Sequence, residues 1–157
     1  MFKARLVGRA MSVAALVAAS GCATTESTPP ASATAATATA TTFNDQVTAG
    51  GALYGQHCAR CHGDSGQGVA GSGPRVVGLK DGALPLDPPG DRKFRKSRFV
   101  TVADVADFAV KNMPPGKGGS LGADQYWAIL AFDLHANGID LPAPLGPSVA
   151  QTLTIPR

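Results

Sequence analysis

Cys58-Ala59-Arg60-Cys61-His62 is the stretch on which the reading of this 157-residue chain turns. Two thiols three positions apart, with an imidazole directly after them, are the residue set that covalent haem attachment needs. Each sulfur adds across one vinyl group of the porphyrin and ties the ring edge to a single turn of backbone. The imidazole of His62 then falls under the iron and supplies its proximal nitrogen. A thiol redox pair or half of a zinc site is the competing reading. Structural zinc needs four ligands, and outside the motif only Cys22, His57 and His135 are on offer.

The length suggests one domain. Nineteen glycines and 12 prolines predict short elements joined by long loops. The formal charge of +3 misleads, because Lys3, Arg5 and Arg9 lie in a leader-like segment. Without them eleven basic residues face eleven acidic ones, so charge gives no support to a nucleic-acid partner. The three cysteines divide between haem (Cys58, Cys61) and the end of the leader (Cys22), leaving none for a structural disulfide.

Residues 1–21 read as an export signal of lipoprotein type: basic residues, an apolar core with Val13, Leu16 and Val17, then small residues. That core is shorter than the roughly 20 apolar residues a membrane-spanning helix needs. Ala19-Ser20-Gly21-Cys22 resembles a bacterial lipobox, with Ala19 where leucine is usual, which would lipidate Cys22; ordinary cleavage nearby is the alternative. Thioether attachment takes place outside the bacterial cytoplasm, so leader and haem motif agree on an exported protein on the periplasmic side of a membrane. Residues 22–44 form an Ala/Thr/Ser/Pro-rich segment that reads as a mobile tether. Twenty such residues span on the order of 25 Å.

The expected folded domain covers 45–138. Val47 to His57 reads as a helix with Val47, Gly50, Leu53 and Tyr54 on one face, delivering its end to Cys58. Gly50 costs about 1 kcal/mol inside a helix, a cost that close approach of a second helix would justify. From Gly63 to Gly78 the chain reads as loop. The Pro74 carbonyl there either accepts from the second nitrogen of His62 or belongs to a plain turn. Residues 80–99 look like an insertion with five basic residues in seven positions, Arg92, Lys93, Arg95, Lys96 and Arg98. These read as a solvated loop, as a docking patch for an acidic redox partner, or as partners of haem propionates. Thr101 with Asp104 forms a capping box for a helix over 102–111. A last helix over 123–136 is apolar over a wide arc and stops at Asn137-Gly138. Residues 139–157 are Pro-rich and read as a tail wrapping the surface as extended chain.

The sixth iron ligand decides the chemistry. Beyond the leader Met113 is the sole methionine, on an interhelical loop and followed by two prolines. Core methionines sit within helical stripes; Met113 does not. His–Met ligation fills both axial sites and raises the reduction potential, which suits electron transfer rather than bond chemistry. His135, late in a helix, is the competing ligand, and His57 reads as a surface residue.

Taken together, Gly50 and Tyr54, the Cys58–His62 motif, Gly73-Pro74, Met113-Pro114 and the helix from Trp127 to Leu134 resemble a class I cytochrome c over about residues 45–138. The resemblance implies an all-α fold of three to four short helices with long loops around one covalently attached haem c. It implies that Gly50 meets the final helix near Phe132 at about a right angle, that the Pro74 carbonyl bonds His62, and that Met113 completes the iron. Met113 to Leu121 resembles bacterial members that serve exported dehydrogenases or terminal oxidases. The lipobox alanine and the insertion depart from the family pattern. The expected function is therefore a monohaem electron carrier, not an enzyme, held at a membrane through its lipid anchor and serving redox proteins as donor and acceptor. A haem-bearing subunit of a periplasmic dehydrogenase, and a small haem enzyme or gas sensor with a labile distal ligand, are the other readings.

Overall fold

A computed structural model describes residues 40–90 and 95–157. The leader, Cys22, nearly all of the tether, and Arg92 and Lys93 lie outside the described residues.

The described residues form five α-helices and one 3-10 turn: α1 (Phe43–His57), α2 (Ala59–His62), the turn at Leu79–Asp81, α3 (Val102–Asn112), α4 (Ala123–Ala136) and α5 (Pro147–Thr152). Among the described residues the only β features are two isolated bridges, Val69 with Gly73 and Thr101 with Thr154. The fold is all-α.

α1 begins four residues earlier than its apolar periodicity suggests, because Thr42 caps it. The Thr42 hydroxyl accepts from the Asp45 N–H at 3.1 Å, and Asp45 Oδ2 accepts from the Thr42 N–H at 3.0 Å. Thr101 and Asp104 repeat this box at α3, with bonds of 3.3 and 2.8 Å. Each cap satisfies N–H groups that a helix start leaves without partners.

α1 and α4 form the main helix pair. They approach so closely at Gly50 that a Cβ there would fall 1.9 Å from the Ala128 carbonyl oxygen. The crossing point is therefore Ala128–Ile129, one turn before Phe132. Phe132 packs instead on Tyr54, ring centroids 5.1 Å apart. α4 is buried on several sides. Ile129 packs with Tyr54 and Ala59, while Leu130, Ala131 and Leu134 join Phe43, Val102, Ala106, Leu145 and Ala150. Complete burial of a Leu or Ile side chain contributes about 1.5–3 kcal/mol.

The chain after 139 differs from the extended wrap its prolines suggest. Pro147 occupies the first turn of α5, where a missing N–H costs nothing. The tail also contributes Leu145 and Ala150 to the core. Gln46 of α1 fixes it, donating to the Leu145 carbonyl at 2.8 Å and accepting from the Leu145 N–H at 2.7 Å.

The insertion departs further from expectation, since one of its basic residues is buried. Arg95 is 8% exposed. Its guanidinium donates to the carbonyls of Leu86 and Ser97, both at 2.8 Å, and to those of Pro85 and Asp87. It also lies 3.8 Å from the centroid of the Phe99 ring. The planar fork supplies donors to several carbonyls at once, so Arg95 organises the loop and is not a docking residue. Arg98 is paired with Asp87 at 2.9 Å on the surface. Lys96 is exposed.

Candidate haem site

The end of α1 and the single turn of α2 place Cys58, Cys61 and His62 on the wall of one cavity, which Met113 also lines from the end of α3. Ile129 and Leu130 of α4, Val105 and Phe108 of α3, and Leu84 and Phe99 of the insertion make up much of the remaining wall. Burial pushes the free Cys58 thiol up to about 11, with Asp133 and Cys61 adding to the effect.

His62 Nδ1 lies 2.7 Å from the Pro74 carbonyl oxygen. A carbonyl only accepts, so the proton belongs on Nδ1 and Nε2 keeps its lone pair. The segment carrying Pro74 can come this near because Gly73 lacks a side chain. A Cβ there would stand 2.7 Å from the Cys61 carbonyl oxygen.

Met113 follows the last turn of α3 in extended conformation. Tyr126 of α4, buried at 5% exposure, donates its hydroxyl proton to the Met113 carbonyl at 2.7 Å and accepts from the Gly119 N–H at 3.2 Å. Tyr126 thus ties the Met113 loop to α4. Periodicity along α4 gives its burial but not this bond, because the partner is thirteen residues away on a loop.

Asn137 holds the opposite loop. Its Oδ1 accepts from the N–H groups of Gly78 and Leu79 at 2.9 and 3.0 Å, and its Nδ2 donates to the Val76 carbonyl at 2.9 Å. In the sequence this residue reads only as a helix stop.

The other histidines separate clearly. His135 is exposed and paired with Asp140 at 2.6 Å, and it does not line the cavity. His57, expected at the surface, is half-buried and contributes to the cavity wall. Among the described residues no cluster of three His, Cys, Asp or Glu side chains could hold a metal ion.

The donor set fits a haem: two thiols, one imidazole with a free nitrogen, one thioether and an otherwise largely apolar lining.

The family model for cytochrome c oxidase, cbb3-type, subunit III matches residues 45–132. The chain belongs to this family. It is a class I c-type cytochrome, a family that implies haem c as cofactor. This cytochrome is 33% identical over 89 residues to a thiosulfate dehydrogenase of Stutzerimonas stutzeri (strain A1501), covering 55% of the present chain and 26% of that protein. It also resembles the crystal structure of the sulfane dehydrogenase SoxCD from Paracoccus pantotrophus, with a TM-score of 0.52 and 27% identity. That match covers 70% of this cytochrome and 53% of the other chain. The cytochrome therefore spans about a quarter of the first relative and about half of the second.

Proposed function

We propose that Cys58 and Cys61 hold one haem by thioether bonds, that His62 and Met113 are its axial ligands, and that the chain relays single electrons without transforming a substrate itself. The observation that carries this reading is the gathering of both thiols, the imidazole and the only post-leader methionine around one cavity. When bound, the haem supplies an iron that alternates between ferric and ferrous states.

The chain's own residues prepare that exchange. Pro74 fixes the rotation of the His62 ring through Nδ1 and leaves Nε2 as the nitrogen that faces the iron. Tyr126 holds the backbone of Met113, so the thioether is presented with little freedom to swing away. A neutral thioether favours the reduced state and raises the potential. Ile129, Leu130, Val105 and Phe108 exclude water from the iron's surroundings. Held by both His62 and Met113, the iron would offer oxygen and peroxide no open site.

The similarity to a thiosulfate dehydrogenase and to SoxCD favours an exported dehydrogenase as the redox partner, met either transiently or as a permanent subunit. The leader and Cys22 support export and a lipid anchor, with the Ala/Thr-rich segment as tether and 45–138 as the haem domain.

Replacing Met113 with Ala tests the ligand assignment. The variant should lose the sulfur-to-iron charge-transfer band of the oxidised protein, show a lower potential, and bind carbon monoxide when reduced, whereas the parent resists it. An unchanged spectrum would remove Met113 from the iron. Co-purification from solubilised membranes separates a permanent subunit from a mobile carrier.

A further inference from the structure

Asp133 is an acid in an apolar place. It lies on α4 between Ile129 and Leu134 and lines the cavity assigned to the haem. Its Oδ1 is sealed from solvent and has no hydrogen-bond partner among the described residues. The backbone carbonyl of the same residue is satisfied, accepting from Asn137 Nδ2 at 2.8 Å, so the deficit belongs to the carboxyl alone. An unpaired carboxylate is costly to bury, and the usual remedy is to keep its proton.

Among the described residues no compensating cation pairs with it. The titratable groups that share the cavity wall with it, besides Arg75, are Tyr54, His57 and Cys58 from α1 and its end, Cys61 and His62 from the haem-binding turn, and Tyr126 of α4; of these Tyr54 and Cys58 feel its charge. Tyr54 gives its hydroxyl proton to the Gly63 carbonyl at 2.8 Å, and the cysteines cannot ionise once they are thioethers. Arg75 lines the same cavity, yet among the described residues no ion pair reaches Asp133. His135 and Asp140 on and after α4 are exposed and pair with each other. Burial alone pushes Asp133 up to about 8.

We propose that the Asp133 carboxyl is a proton-binding site coupled to the haem, taking up a proton when the iron is reduced and releasing it on oxidation. The charges balance: the redox partner gives one electron to ferric iron while water delivers one proton to the Asp133 carboxylate, and both leave in the reverse step. The ferric centre carries one more positive charge than the ferrous one, so it favours the ionised carboxylate, and reduction removes that support. Electron transfer and proton uptake therefore assist one another.

This inference rests on a haem in the cavity, and the experiment keeps the two apart. The midpoint potential of the purified holoprotein is measured from pH 5 to 10, beside the haem absorption spectrum. The potential should be flat at low pH and fall across the window around pH 8. The limit is a tenfold change in the reduction equilibrium per pH unit, about 59 mV for one electron. Asp133→Asn, which keeps shape but cannot ionise, should lose most of that slope while its spectrum stays that of the parent. A parent potential independent of pH, or a slope that survives in Asp133→Asn, overturns the proposal. Should the variant fail to accumulate with haem, proton uptake by the unaltered protein on reduction at pH 8 decides. A substantial fraction of a proton per electron supports the coupling, and none refutes it. A chain that never acquires a haem spectrum refutes the haem assignment instead.

Discussion

At the scale of the residue, the arrangement depends on side chains that are missing as much as on those present. Gly50 sits where α1 touches α4, and any Cβ would run into the Ala128 carbonyl. Gly50→Ala gains about 1 kcal/mol in helix propensity and forces the helices apart, for a net destabilisation of about 1–3 kcal/mol by overpacking. Urea unfolding of the holoprotein measures it, and an unchanged or raised midpoint would contradict the close approach. Gly50 is legible in the sequence, because a glycine inside an otherwise regular helix asks for a reason. Asp133 is only half legible. Its register beside Ile129 and Phe132 places it on a buried face, but an acid on a helix ordinarily turns to solvent. Nothing local says that Oδ1 will lack a partner, since that depends on which loops arrive. Tyr126 and Asn137 are hidden for the same reason: their bonds to the Met113 loop and the 76–79 loop join positions far apart in the chain.

At the scale of the element, local signals read most faithfully. The Thr101–Asp104 box starts α3 where the sequence places it, and α4 runs over 123–136 as its apolar arc indicates. These features involve residues within a few positions of one another. The insertion shows the opposite case. A basic run reads as solvated because charge resists burial, yet Arg95 escapes that rule by giving its donors to backbone carbonyls ten or fewer residues away. Through Phe99, whose ring meets Phe108 at 5.5 Å, the loop becomes part of the cavity wall. Arg95→Lys replaces the fork with a single point charge and strands several of those carbonyls. It should cost about 1–3 kcal/mol and speed protease cleavage between residues 84 and 99. Cleavage and stability equal to the parent's would show that the cage does not organise the loop.

At the scale of the whole molecule, the helices and loops of the described residues enclose a cavity beside their packed core. Leu130 and Leu134 face both the core and that space, and Ile155, from a tail that reads as mere surface wrapping, reaches its wall. A domain of this size has little core to spare, so the haem proposed for the cavity would complete the fold. The most direct test of the haem account uses the unaltered protein. Met113 is the one methionine in residues 22–157, so proton NMR of the reduced, diamagnetic holoprotein needs no variant to assign its methyl group. Ligation to iron predicts a single three-proton signal shifted far upfield by the porphyrin ring current. A Met113 methyl at its ordinary position, in a protein that carries haem, would contradict the account.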